Sequence, residues 1–113
     1  MALVAEPIEF FRVVGGIQQG TVDPITRASA IAMPAPVARI TTVSGTAEMT
    51  TIGIPWPGFT GSIVFIPTGA FTGATGGTAT ATAKPIGKAF TAVAGKALEL
   101  YCDGLNWYPS YTS

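Results

Sequence analysis

Apolar residues along the chain recur at a period of two, in short runs cut by Gly, Pro, Ser or Asp, which is the signature of β-strands. VARITTV (37–43) is rich in β-branched residues and ends at Ser44-Gly45. TAEMTTIGI (46–54) places Glu48, Thr50, Ile52 and Ile54 on one face and Ala47, Met49 and Thr51 on the other. SIVFIP (62–67) is apolar on both faces and is expected to be the most buried strand. KAFTAVA (88–94) and ALELYC (97–102) follow; in the latter Leu98, Leu100 and Cys102 oppose Glu99 and Tyr101. Asp103-Gly104 is a hairpin signal, and LNWYP (105–109) reads as the return strand, stopped by Pro109.

Two stretches break the pattern. TGAFTGATGGTATATAKP (68–85) is almost wholly Gly, Ala and Thr, so it reads as a loop or as a flat strand with weakly specified register. The first third contains one short strand-like run, EFFRVV (9–14), closed by Gly15-Gly16. A stretch without period follows it, and Met33-Pro34-Ala35-Pro36 holds the backbone extended. Structureless loops of that length are rare inside compact domains. The expectation is an extended N-terminal arm over residues 1–36 that orders on a partner. A β-domain over 37–113 would follow, a small antiparallel sandwich or barrel of six or seven short strands.

Composition sharpens this. The 14 Gly and 9 Pro disfavour long helices. Charged residues make up 11% of the 113-residue chain, six basic against six acidic, well below the usual quarter. A surface so poor in charge suits a chain covered by partners. Zero net charge and no basic run speak against nucleic acid as partner. No uninterrupted apolar run is long enough for a spanning helix, so no membrane partner is expected. MALVAEPIEFF lacks a basic n-region and carries Glu6 and Glu9, so use without Sec export is expected.

Candidate chemistry is thin. Histidine is absent, which removes Ser-His-Asp and Cys-His triads together with the commonest metal ligand. The one cysteine, Cys102, has no intrachain partner and reads as a small buried strand residue. The carboxylates are explained by the arm, by exposed strand faces and by the Asp103-Gly104 turn. GATGG (73–77) lacks the strand-to-helix setting of a phosphate loop. Neither an enzyme nor a cofactor or metal site is expected. The aromatic residues Trp56, Phe59, Trp107, Tyr108 and Tyr111 stay open between core, subunit interface and ligand platform.

Three blocks carry a resemblance. ITTVSGTAEMTTI (40–52), GFTGSIVFIPTGAFTGATGG (58–77) and GKALELYCDGLNWYPS (95–110) stand in this order. Over residues 37–111 the chain resembles a module of tailed-bacteriophage virion structural proteins. The resemblance implies a structural role in the particle, as a head decoration (cement) protein or a head or tail fibre module. Homo-trimers and contacts with the major capsid protein or other virion proteins are implied with it. On this view the interface with subunits or capsid would draw on Phe10, Phe11, Ile31, Met33, Pro34, Pro36, Trp56, Phe59, Tyr108 and Tyr111. Trp107 would be a core anchor.

Overall fold

The β-branched run 37–43 and the apolar run 62–67 become the two longest strands. In the computed structural model, which describes residues 18–23 and 25–113, these residues form eleven short strands and no helix. They are β1 (Gln18–Val22), β2 (Arg27–Ala28), β3 (Ala32–Met33), β4 (Ala38–Ser44), β5 (Thr51–Gly53) and β6 (Gly61–Pro67). The rest are β7 (Thr72–Gly73), β8 (Ala83–Pro85), β9 (Phe90–Thr91), β10 (Leu98–Cys102) and β11 (Trp107–Pro109). The all-β expectation holds. The strand number exceeds six or seven because residues 18–33 add three strands and the Gly-, Ala- and Thr-rich stretch pairs in pieces of two or three residues.

The principal sheet runs β1-β4-β6-β10-β11, with β2 also on β4. A second sheet runs β3-β5-β8, and β7 pairs with β9. Pairing is mixed, whereas a purely antiparallel arrangement was expected. β6-β10-β11 is antiparallel, but β4 and β6 are parallel, with Ile40 opposite Val64 and Val43 opposite Pro67. Parallel neighbours need a crossover. Here residues 45–60 provide it by way of β5 in the second sheet, so the chain returns to the principal sheet in its original direction.

Parts of the stretch assigned from sequence to an arm outside the β-domain, Gln18–Val22, Arg27–Ala28 and Ala32–Met33, are extended but paired into its sheets. β1 and β2 lie parallel to β4, and β3 lies parallel to β5. The Asp23 amide donates to the Ile40 carbonyl at 2.9 Å and the Ser29 amide to the Ser44 carbonyl at 2.8 Å. The run 9–14 lies outside the described residues. Of the expected strand 46–54 only Thr51–Gly53 pairs as one, and Met49, Ile52 and Ile54 are all buried, against the simple alternation. Of 88–94 only Phe90–Thr91 is strand. The TATATA run is exposed through Thr82, and pairing starts at Ala83.

The core lies between the two larger sheets and spreads toward β7-β9. Val43, Ile63, Phe65, Leu98, Leu100 and Trp107 face inward from the principal sheet to meet Met33, Met49 and Ile52. Edge-to-face contacts link Phe65, Phe71 and Phe90, with ring centroids 6.4 and 6.3 Å apart. Cys102 is buried, and burial pushes its thiol pKa up.

The terminal hairpin forms where expected but with a longer loop. Cys102 pairs with Trp107, leaving Asp103 to Asn106 as four loop residues. Asp103 Oδ1 accepts the amides of Leu105 and Asn106, each at 2.8 Å. Gly104 alone takes a left-handed φ, 97°. A two-residue turn would need Asp103 there too, and its side chain caps the loop instead.

Candidate functional site

Residues opposite one another in paired strands share a face, and two such rows define the outer face of the principal sheet. Ile40, Val64 and Glu99 form one row, and Ser62, Tyr101 and Tyr108 the next. Thr42 and Ile66 extend it. The three aliphatic side chains are half-buried, while Tyr101 and Tyr108 are 46% and 40% exposed. No described element covers this face.

A polar network crosses it. Arg39 Nη2 donates to Glu99 Oε2 at 2.7 Å and to Ser62 Oγ at 3.0 Å, and the Tyr101 hydroxyl donates to Glu99 Oε1 at 2.9 Å. Half-exposed ion pairs add little stability. The network's effect is to hold the Tyr101 ring and the Arg39 stem in fixed positions beside the aliphatic row. The Tyr101 hydroxyl, then Ser62, then the Arg39 charge hold the Glu99 carboxyl below its ordinary pKa. The same hydrogen bond pushes the Tyr101 phenol up. Glu99→Ala is expected to bring the Tyr101 titration down, because the hydrogen bond and the charge of Glu99 that raise it are gone while the Arg39 charge still favours the phenolate. Ring-carbon NMR shifts across alkaline pH measure this, and an unchanged midpoint would show that the network is not formed in solution.

Asp23 and Asp103 also have lowered pKa values, through the Arg27 side chain and the Ile25 amide for Asp23, and through the Asn106 and Leu105 amides for Asp103. A carboxyl whose folded pKa is depressed contributes stability above its unfolded pKa and loses it as pH falls through the folded value. Stability is therefore expected to stay level down to about pH 5 and to decline through and below the ordinary carboxylate range. Urea titrations at stepped pH test this; stability that rises on acidification would contradict the geometry of all three carboxylates.

The residues expected at an interface divide. Phe10 and Phe11 lie outside the described residues. Ile31 is 66% exposed, Pro34 is exposed, and Tyr108 lies on the outer face. Met33, Pro36 and Phe59 do not fit that expectation: all three are buried within the chain itself. β3 carries Met33 into the second sheet, and Phe59 packs 5.9 Å from Trp107. Trp56 is half-buried, edge-on to Phe59 at 4.8 Å. Tyr111 is a latch for the C-terminal end. Its hydroxyl donates to the Lys96 carbonyl at 2.7 Å and accepts the Val93 amide, while Lys96 Nζ sits 4.3 Å over its ring. Trp107 is fully buried.

Sequence reasoning passed over Arg39, Ile40, Ser62, Val64, Glu99 and Tyr101. The alternation of Leu98, Leu100 and Cys102 against Glu99 and Tyr101 was the available signal for half of the face. What it could not supply was β4 lying parallel beside β6, which brings Arg39 across to Glu99.

A groove of about 240 Å³ opens between Thr41 and Phe65 of the principal sheet and the segment 33–37, with Arg27 at its side. Thr41 is 2% exposed, and its hydroxyl has no hydrogen-bond partner among the described residues. Among the described residues no cluster of His, Cys, Asp or Glu is arranged to hold a metal ion, and no helix is long and apolar enough to cross a membrane. Comparisons with protein-family models, curated proteins and solved structures find no match to this chain.

Proposed function

We infer that the chain is a structural protein of a tailed-bacteriophage particle, a head decoration (cement) protein that binds the major capsid lattice and stabilises the shell. The reading starts from the three sequence blocks over 40–110 and their resemblance to virion modules. The observation in the fold that best supports a binding role is the outer face of the principal sheet. Ile40, Val64 and Ile66 stand half-covered there beside the exposed rings of Tyr101 and Tyr108. Apolar surface removed from water contributes about 25 cal/mol per Å², and aromatic residues are enriched where proteins meet. A protein that works by covering a seam needs such a face and no reacting group. Lack of histidine in the chain fits the same role.

On this reading the protein is on the outside of the particle, after assembly in the host cytoplasm, as a homo-oligomer that the resemblance makes a trimer. Particles assembled without it should lose their DNA at a lower temperature than particles that carry it. Equal heat resistance of the two would sink the cementing role. Sedimentation at micromolar concentration tests the oligomer, and a stable monomer would argue against the trimer.

One observation favours a second reading, a head or tail fibre module that binds host-surface glycans. Tyr101 and Tyr108 are adjacent exposed rings with Glu99 and Arg39 beside them, so a stacking surface and hydrogen-bonding groups stand together. Trp107 has no part in such a site, being fully enclosed. Glycan binding that disappears in Tyr101→Ala or Tyr108→Ala, with the fold intact, would favour the fibre over the decoration protein.

A further inference from the structure

We propose that Asp103-Gly104 is a covalent modification site gated by the terminal hairpin: isoaspartate forms there when the loop opens, and the product keeps the loop from closing again. Three observations lead there.

The first is the pair and its setting. Asp103 is exposed, and Gly104 has no side chain to screen its amide nitrogen. A Cβ at Gly104 would meet nothing nearer than Thr60 Cγ2 at 3.7 Å, so no neighbour crowds the pair. In such a pair the Gly104 nitrogen attacks the Asp103 side-chain carbon. A C–N bond forms, the carboxyl C–O bond breaks, and the hydroxyl leaves as water with the amide proton. The succinimide ring then takes up one water. Addition at the main-chain carbonyl breaks the original peptide bond, and the chain now runs through Cγ. One water is lost and one is gained, so the step needs only solvent.

The second is how the folded loop blocks that step. Asp103 Oδ1 accepts the amides of Leu105 and Asn106, each at 2.8 Å. Both donors lie beyond Gly104 in the chain. The carboxyl is held toward them and is not free to turn its carbon face-on to the Gly104 nitrogen. A carboxylate must also gain a proton before its oxygen leaves as water, and the two amides favour the ionised form. The loop is shut at its ends as well: Cys102 pairs with Trp107, and the Asp103 amide donates to the Asn106 carbonyl at 3.2 Å. These restraints are lost together when the hairpin opens.

The third is what the product does. An isoaspartyl link adds one carbon to the main chain of a four-residue loop and moves the carboxylate off its capping position. Trp107, the fully buried first residue of β11, follows that loop directly. A lengthened loop displaces it from its register with Cys102 and from the Ile52 carbonyl that its indole N–H reaches at 3.0 Å. An opening that would otherwise reverse is thereby made permanent.

The test holds the full chain at neutral pH, in buffer and in denaturing guanidinium chloride, and follows isoaspartate at residue 103 by peptide mapping. It should accumulate in the denatured chain and form at least about tenfold more slowly in the folded one, where the open hairpin is a minor population. Asp103→Asn keeps an oxygen for both amides and needs no proton from the acid form, so it separates the loop's geometry from the charge. Its deamidation should be slowed by folding to a similar degree. Equal rates in the folded and denatured parent would overturn the gating, as would a folded Asp103→Asn variant that deamidates as fast as in denaturant. The isoaspartyl chain, separated by chromatography, should unfold at a lower denaturant concentration than the parent. An unchanged midpoint would overturn the claim that the product keeps the loop open. Because the proposal rests on the hairpin alone, these results decide it whatever the particle experiments show.

Discussion

Trp107→Ala is expected to cost about 3–5 kcal/mol of folding stability, a large share of the roughly 5–15 kcal/mol that holds a domain of this size together. Trp107 is fully buried and opens the last strand, paired with Cys102. Its ring lies 5.9 Å from Phe59, which in turn meets Trp56. Its indole N–H donates to the Ile52 carbonyl at 3.0 Å, a direct link between the principal sheet and the second sheet. Its own carbonyl accepts the Gly87 amide at 2.7 Å. Alanine would leave a cavity between the sheets and remove the indole bond to the Ile52 carbonyl. Trp107→Phe separates the two effects, since it refills much of the space but removes the indole donor, at about 0.5–1.5 kcal/mol for one hydrogen bond. Urea unfolding of the three proteins measures both. A loss below about 1 kcal/mol for the alanine variant would mean that Trp107 is not the link between the sheets.

The part of this arrangement that was legible in the sequence is the part set by local pattern. Alternation in 97–102 is carried by side chains that a pleated strand sorts to two faces, so Leu98 and Leu100 could be assigned to one face before any fold was known, whereas 62–67, apolar on both faces, pointed to a buried strand without saying that Ile63 and Phe65 turn inward. The hairpin at Asp103-Gly104 was legible because its turn chemistry is local, although the loop proved to be four residues long. Parallel pairing of β4 with β6 was not legible. It depends on the chain between them detouring through another sheet, and no residue in 45–60 encodes that locally. The same limit hid the entry of residues 18–36 into the sheets. Their strands are short and their partners distant in sequence, so Met33 looked available to a partner when it is 3% exposed. Of the outer face, Tyr108 was singled out from its place near the chain end. Arg39, Glu99 and Tyr101 were not, because the network joins residues 60 apart in the chain. The groove at Thr41 was invisible for a related reason: a threonine in a strand-like run gives no sign of whether its hydroxyl will find a partner.

Gly73 is where a low-complexity stretch conceals a packing requirement, and Gly73→Ala is expected to cost about 1–3 kcal/mol, toward the upper end, by overpacking. Read as sequence, Gly73 belongs to a Gly-Ala-Thr loop. In the fold it pairs with Phe90 across β7 and β9, and the Phe90 ring lies over it. A Cβ at Gly73 would stand 2.1 Å from Phe90 Cε2 and 2.5 Å from Cζ. Gly73 is not among the glycines with positive φ, so the cost is steric and not conformational. The ring has little room to retreat. Phe90 is 3% exposed and meets Phe71 edge-on, and Phe71, fully buried, meets Phe65 of the principal sheet in the same way. Displacement of Phe90 would therefore be felt along an aromatic row that reaches the centre of the domain. A smaller residue at position 90 should relieve it. Phe90→Leu is destabilising alone, but Gly73→Ala added to it should cost less than in the parent by at least about 1 kcal/mol, the coupling expected of residues in direct contact. Equal costs in the two backgrounds would disprove the steric account and return Gly73 to the loop that its sequence suggests.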